Sequence, residues 1–210
     1  MVGLKLYVEG GGDSSDLRTA CREGFASFIA RAGIARRPRV VACGSRRNAF
    51  ESFCTAVGNG QAAMLLVDSE GPVAEGNAQG EPDSWQPWAH LKQRPGDKWE
   101  KPENSNEADC HLMVQCMESW LAADPAALAR FFGQGFNGDR LPKPANVETT
   151  ASKAIQDALK QSTRECAVKG EYHKGRHSFR LLCCIDPDKI SAASPWASRF
   201  LACLKSRMQE

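Results

Sequence analysis

The sequence predicts an α/β protein whose parallel-sheet core is flanked by helices. Short apolar runs alternate with amphipathic segments through the first third of the chain, the pattern of βαβ units. The third of these runs is apolar throughout, as a strand covered on both faces would be.

"LKLYV" (Leu4–Val8) reads as the first strand. Leu17, Ala20, Cys21, Phe25, Phe28, Ile29 and Ala32 then mark one face of a helix. Asp13, Ser14 or Ser15 can cap it. "RVVAC" (Arg39–Cys43) is the second strand, and Phe50, Phe53, Cys54 and Val57 give a second helix. "AAMLLV" (Ala62–Val67) is the third strand. This order implies right-handed crossovers and a parallel sheet.

From Gly71 to Asp109 the chain is rich in Gly, Pro, Asn and Glu and has no clear period. Loops this long inside a compact domain are usually functional or disordered. Trp85, Trp88 and Trp99 argue that part of it packs. A fourth strand is expected at His111–Val114, then a helix from about Met117 with a continuation at Pro125 that Phe131 and Phe132 close. Residues 133–149 read as loop. Helices are expected at Ala151–Lys160, Ser178–Ile185 and Pro195–Arg207. The organisation is a core at 1–132, with the long loop insertion at 71–109, and a helical C-terminal extension at 133–210 packed on the same domain.

With 210 residues, 42% of them hydrophobic, the chain can bury one sizeable core. No apolar run approaches a membrane span, and "MVGLKLYVEG" lacks a signal-peptide core. The expectation is a cytoplasmic protein with no membrane partner. Nine cysteines without a C-x-x-C pair do not resemble a zinc site or a disulfide scaffold. They read as mostly buried, reduced thiols. Charge is unevenly spread. Residues 1–50 carry nine Lys/Arg against four Asp/Glu, residues 51–125 four against thirteen, and residues 126–210 fourteen against eight. Basic flanks suit a polyanion, and an acidic middle suits a solvated loop or a cation site.

Glu9 ends the first strand, and Asp68 and Glu70 end the third. Residues two apart in an extended segment point to one side. Parallel strands place these ends on the carboxyl edge, where open α/β sheets bind ligands. Three converging carboxylates repel one another, and a divalent cation relieves this. Hard oxygen donors suit magnesium or manganese. Gly10, Gly11 and Gly12 fit either a tight strand-to-helix turn or a phosphate cradle at a helix N-terminus. They complete neither a dinucleotide fingerprint nor a P-loop.

An apolar strand ending Glu-Gly, followed by one ending Asp-x-Glu, resembles the Toprim domain of topoisomerases, primases and OLD-type nucleases. "YVEGGGD" and "LLVDSEG" carry the likeness. More narrowly, "YVEGGGDSSDL", "GSRRNAF", "LLVDSEGP", "HLMVQCMESWLAAD" and "EYHKGRHSF" are similar to small bacterial Toprim-like proteins filed as a domain of unknown function. Their genes often lie beside an ABC-type ATPase gene. The second acidic pair departs from the commoner Asp-x-Asp.

The resemblance implies a Toprim-like fold and a magnesium- or manganese-dependent nuclease, an effector of ATPase-coupled anti-phage defence with an ABC-type ATPase partner. Glu9 would be general base or metal ligand, and Asp68 and Glu70 metal ligands. Asp13 is a second-site ligand or only the helix cap. Glu118 is a further ligand or a stabiliser of its own helix N-terminus. Arg46 and Arg47 follow the second strand and so lie on the carboxylate edge, as nucleic-acid contacts or a solvated pair. Arg36 and Arg37 lie on the opposite edge. In "EYHKGRH", Lys174 or His177 would meet the transition-state phosphate, unless the stretch is only an exposed basic turn. The alternatives are a non-catalytic subunit that binds an ATPase, and a nucleotide-binding regulator.

Overall fold

The computed structural model describes residues 3–12 and 14–209. The strands β1 (Lys5–Val8), β2 (Arg39–Ala42), β3 (Ala63–Asp68) and β4 (Cys110–Met113) form one parallel sheet in the order β2-β1-β3-β4. Strand alternation sorts its side chains. Leu6, Val8, Met64 and Leu66 enter one core, and Tyr7, Leu65, Val67 and Leu112 enter a second. All six residues of β3 are buried, as its uninterrupted apolar run predicts.

Helix α1 (Ser15–Arg31) buries Cys21, Phe25, Phe28 and Ile29 in the first core. Ser14 caps it, its side chain accepting the Leu17 N–H. Helix α2 (Arg46–Gly58) buries Ala49, Phe53, Ala56 and Val57 in the second. Its cap is Ser45. With helices on both faces, the sheet is the middle of three layers.

Segment 71–109 is not a plain loop. It holds a short helix α3 (Pro87–Gln93) and three single 3-10 turns. Trp85 and Trp88 are buried in the second core, and Trp99 packs at its margin. A seven-residue helix is too short to display a period, so only its opening proline announced it. After β4 come α4 (Met117–Ala122) and α5 (Pro125–Phe132), separated by the Asp124 cap, then α6 (Ser152–Thr163).

Two elements of the C-terminal part correct the sequence-based expectation. Helix α7 spans Lys174–Leu182, starting four residues before the expected Ser178. Its first turn, Lys-Gly-Arg-His, carries no apolar signal. Helix α8 (Pro187–Ala193) was not foreseen, although Asp186 as cap followed by proline announces it. Helix α9 (Pro195–Gln209) closes the chain. Leu159, Leu181, Ile190 and Phe200 from these helices share one core with Leu6 and Phe25.

All nine cysteines are free thiols. Only Cys21, Cys110, Cys116 and Cys166 are fully buried, so "mostly buried" overstates the case. No helix among the described residues is long and apolar enough to cross a membrane.

Candidate functional site

The sheet order creates the site. The chain leaves β1 for β2 on one side and then crosses to β3 on the other. Helices α1 and α2 therefore lie on opposite faces, and a crevice opens beyond the carboxyl ends of β1 and β3. Glu9 follows one of these ends, and Asp68 is the other. A carboxylate oxygen from each of Glu9, Asp68 and Glu70 lies within 4.8 Å of the other two. Oxygens around one ion with bonds near 2.1 Å lie roughly 3–4 Å apart. Small rotamer adjustments would close that gap, so the donor set fits a hard divalent cation.

Each of the three acidic residues is held by backbone. The Asp68 N–H donates to Glu9 Oε2 at 3.2 Å, locking the two strand ends together. Asp68 Oδ1 accepts the Met117 N–H at 2.8 Å, at the start of α4. Glu70 reaches the cluster by a route that strand alternation did not foresee. It lies past the end of β3 with φ 59°, in the left-handed region. Three hydrogen bonds hold this turn. The Ser69 N–H donates to Met113 O, the Glu70 N–H to Gln115 O, and His90 Nε2 to Ser69 O. His90 comes from α3, so the long loop clamps the site. Such strain persists only where neighbours fix it.

Two cations approach the cluster. Lys174, at the start of α7, puts its ammonium 3.5 Å from Glu118 and 3.9 Å from Asp68. Arg46 Nη1 lies 3.7 Å from Glu9. Burial lowers the Lys174 pKa, but Glu118, Asp68 and Glu9 outweigh that and push it up to about 12. Lys174 is 58% exposed, so water screens these pairs. The Asp68 carboxyl is held well above its ordinary range, by burial first and then by the Glu9 charge. Glu9 is raised for the same first reason, with Arg46 opposing.

The other expected residues divide. Glu118 is fully buried; it accepts from the Tyr172 hydroxyl at 3.1 Å and faces Lys174, outside the three-oxygen cluster. Lys174 is the first residue of a helix, not part of an exposed turn. His177 does not reach the cleft. It is 2% exposed, packs between Phe131, Phe132 and Tyr172, and its Nδ1 accepts the His173 N–H. The four-residue shift in the start of α7 exchanges their places. Asp13 lies outside the described residues.

Gly10, Gly11 and Gly12 all have positive φ and line a cleft of about 260 Å³ with Asp68 and Lys174. A Cβ on Gly10 would meet the Phe179 ring at 2.8 Å, and one on Gly11 the Arg18 Cα at 2.9 Å. Packing of α1 and α7 thus already requires the first two. Arg46 and Arg47 are not an equivalent pair. Arg46 is 12% exposed and bound to Asp97, whereas Arg47 is 82% exposed and paired with Glu51. Asp97 and Arg94, both from the long loop, were missed because nothing periodic marks them, and Trp99 was read only as a packing residue.

Residues 8–205 match the family described as Domain of unknown function (DUF4276). The chain belongs to this family. The match runs from the end of β1 into α9, so it spans Glu9, the 68–70 turn and Lys174. No curated protein and no solved structure matches the chain.

The raised carboxyls give this DUF4276 protein an expected pH response. Their folded-state pKa values exceed the unfolded ones, so their contribution to stability is complete at low pH. It is lost as pH rises through the folded values. A cation bound there would compete with protons for the same oxygens. The magnesium-induced rise in melting temperature should therefore be larger at about pH 8 than at about pH 5.5. Thermal melts in EDTA and in magnesium measure this. A shift that ignores pH would place the cation elsewhere.

Proposed function

We propose that this chain is a Toprim-type, metal-dependent nuclease that hydrolyses phosphodiester bonds of nucleic acid. The convergence of Glu9, Asp68 and Glu70 at the crevice between β1 and β3 carries this reading. The oxygen-only donors suit magnesium or manganese. Bound there, the ion would polarise a phosphoryl oxygen and ease deprotonation of a water.

The chain's own groups supply the rest. Lys174 directs an ammonium into the cleft that Asp68 lines, where charge would build on a phosphoryl oxygen. Glu118 and the Tyr172 hydroxyl orient that lysine from a buried position. Glu9 is the least buried of the strand-end pair, and serves as ligand or as proton acceptor for the attacking water. The place in ATPase-coupled anti-phage defence, and an ABC-type ATPase as partner, rest on the resemblance alone.

One observation favours a non-catalytic subunit instead. Lys174 and Arg46 already offset part of the carboxylate charge, as they would where no ion binds. A cleavage assay on DNA and RNA, single- and double-stranded, separates the readings. Its arms are magnesium, manganese and EDTA, with and without the ATPase. The nuclease predicts cleavage in either metal, none in EDTA and none with Glu9→Gln. Absence of cleavage in every arm, or cleavage that survives EDTA, would reject it.

A further inference from the structure

Beside the carboxylate cluster lies a wider cleft of about 750 Å³, lined by Glu9, Arg46, Arg47, Arg94, Asp97 and Trp99 among others. It opens at the N-terminus of α2, whose first N–H groups have no partner within the helix. Ser45 Oγ takes only the Asn48 N–H. Three arginines converge here. Arg46 lies over the Trp99 ring, 5.1 Å from its centroid, and Trp99 stacks on Phe50.

Two details of Arg46 point to a ligand. Its Nε and Nη1 are buried and make no hydrogen bond. Buried donors are almost always satisfied, and exceptions need a reason. The single acceptor it does have is Asp97, which also binds Arg94 Nη1 at 2.9 Å. The Asp97 side chain is 4% exposed. One carboxylate thus bridges two guanidinium groups, the geometry in which arginines hold a phosphate.

We propose that this cleft is a phosphate-binding subsite for a phosphodiester group neighbouring the one at Glu9, Asp68 and Glu70. Asp97 holds the arginines that this phosphate takes over. The inference rests on the nuclease reading and adds a second contact to it, a nucleic-acid strand that spans both sites. Arg46 joins them, since it touches Glu9 on one side and Asp97 on the other. A phosphate that displaced Asp97 would take over Arg46 Nη2 and Arg94 Nη1, the two nitrogens that Asp97 now holds. Arg47 is the outer contact, because its pair with Glu51 is exposed and readily broken.

The test is binding of a labelled single-stranded oligonucleotide of ten deoxythymidines in EDTA across a salt series. Thymidine monophosphate is the second probe. Without a divalent ion there is no cleavage, so the result stands apart from the activity assay. Asp97→Asn removes the competing charge and keeps an acceptor; it should tighten oligonucleotide binding about tenfold. Arg94→Ala should weaken binding and reduce the salt slope by about one. Arg36→Ala with Arg37→Ala should do much less, being on the opposite edge. Because Arg94 lies on a partly exposed turn, its variant keeps the test open if Asp97→Asn does not fold. Unchanged or weaker binding by a folded Asp97→Asn would overturn the subsite, as would an Arg94→Ala that binds like wild type. Equal affinity for the mononucleotide and the oligonucleotide would overturn the strand.

Discussion

Asp68→Asn is expected to abolish cleavage while leaving the metal-free protein as stable as wild type or more so. The two effects have separate causes. In its proposed role as a metal ligand, Asp68 supplies charge that an amide lacks. Losing several kcal/mol of transition-state stabilisation lowers the rate by about 10³-fold or more. As a fold element, Asp68 makes one buried side-chain hydrogen bond, its Oδ1 accepting the Met117 N–H. The amide oxygen of asparagine keeps that bond. The substitution also removes a buried charge whose burial cost and repulsion by Glu9 and Glu118 outweigh its attraction to Lys174. A gain near 1 kcal/mol would raise the melting temperature in EDTA by about 2–4 °C. Asp68→Ala should differ, because it strands the Met117 N–H at a cost of about 1–3 kcal/mol. A marked loss of stability in Asp68→Asn would make the residue structural first, and cleavage by that variant would end the nuclease reading.

The second large effect is expected far from the carboxylates. Gly24 lies in α1, where alanine would ordinarily gain about 1 kcal/mol. Here a Cβ would meet the backbone oxygen of Phe179 at 2.7 Å and the Phe179 Cβ at 3.2 Å. Backbone cannot step aside as a side chain can. Helix α7 must shift, and α7 carries Lys174 at its first position. Gly24→Ala should therefore lose about 2 kcal/mol net, some 4–8 °C in melting temperature. It should also cut the cleavage rate by moving the ammonium away from Asp68. Gly58 is the control. It too is helical, but a Cβ there meets nothing within 4 Å, so Gly58→Ala should be neutral or stabilising. An unchanged melting temperature for Gly24→Ala would mean that α1 and α7 pack less tightly than the structure has them.

These two residues also mark the limits of sequence reading. Asp68 was legible because a lone carboxylate at the end of an apolar run is conspicuous, and strand polarity says which edge it occupies. Gly24 was not, because its reason is a neighbour 155 positions along the chain, Phe179. The same contrast separates Lys174 from His177. Both sat in one basic stretch, and only the true start of α7 decides which faces the cleft. Four residues are about one helical turn, too fine a distinction where the first turn has no apolar pattern.

The sequence by itself determined the layered α/β core, since three apolar runs and two amphipathic segments admit little else. It also determined that Glu9 and Asp68 lie on one edge of a parallel sheet. Their adjacency was decided by tertiary structure, through the strand order that sets β1 beside β3. So was the entry of Glu70, which depends on a left-handed turn held by Met113, Gln115 and His90. The engagement of Arg46 by Asp97 follows from how an aperiodic loop packs its tryptophans. Local pattern specifies which face of an element is buried. Which elements meet is settled by long-range packing, and a site built where β1, β3, α2 and α7 converge inherits that dependence.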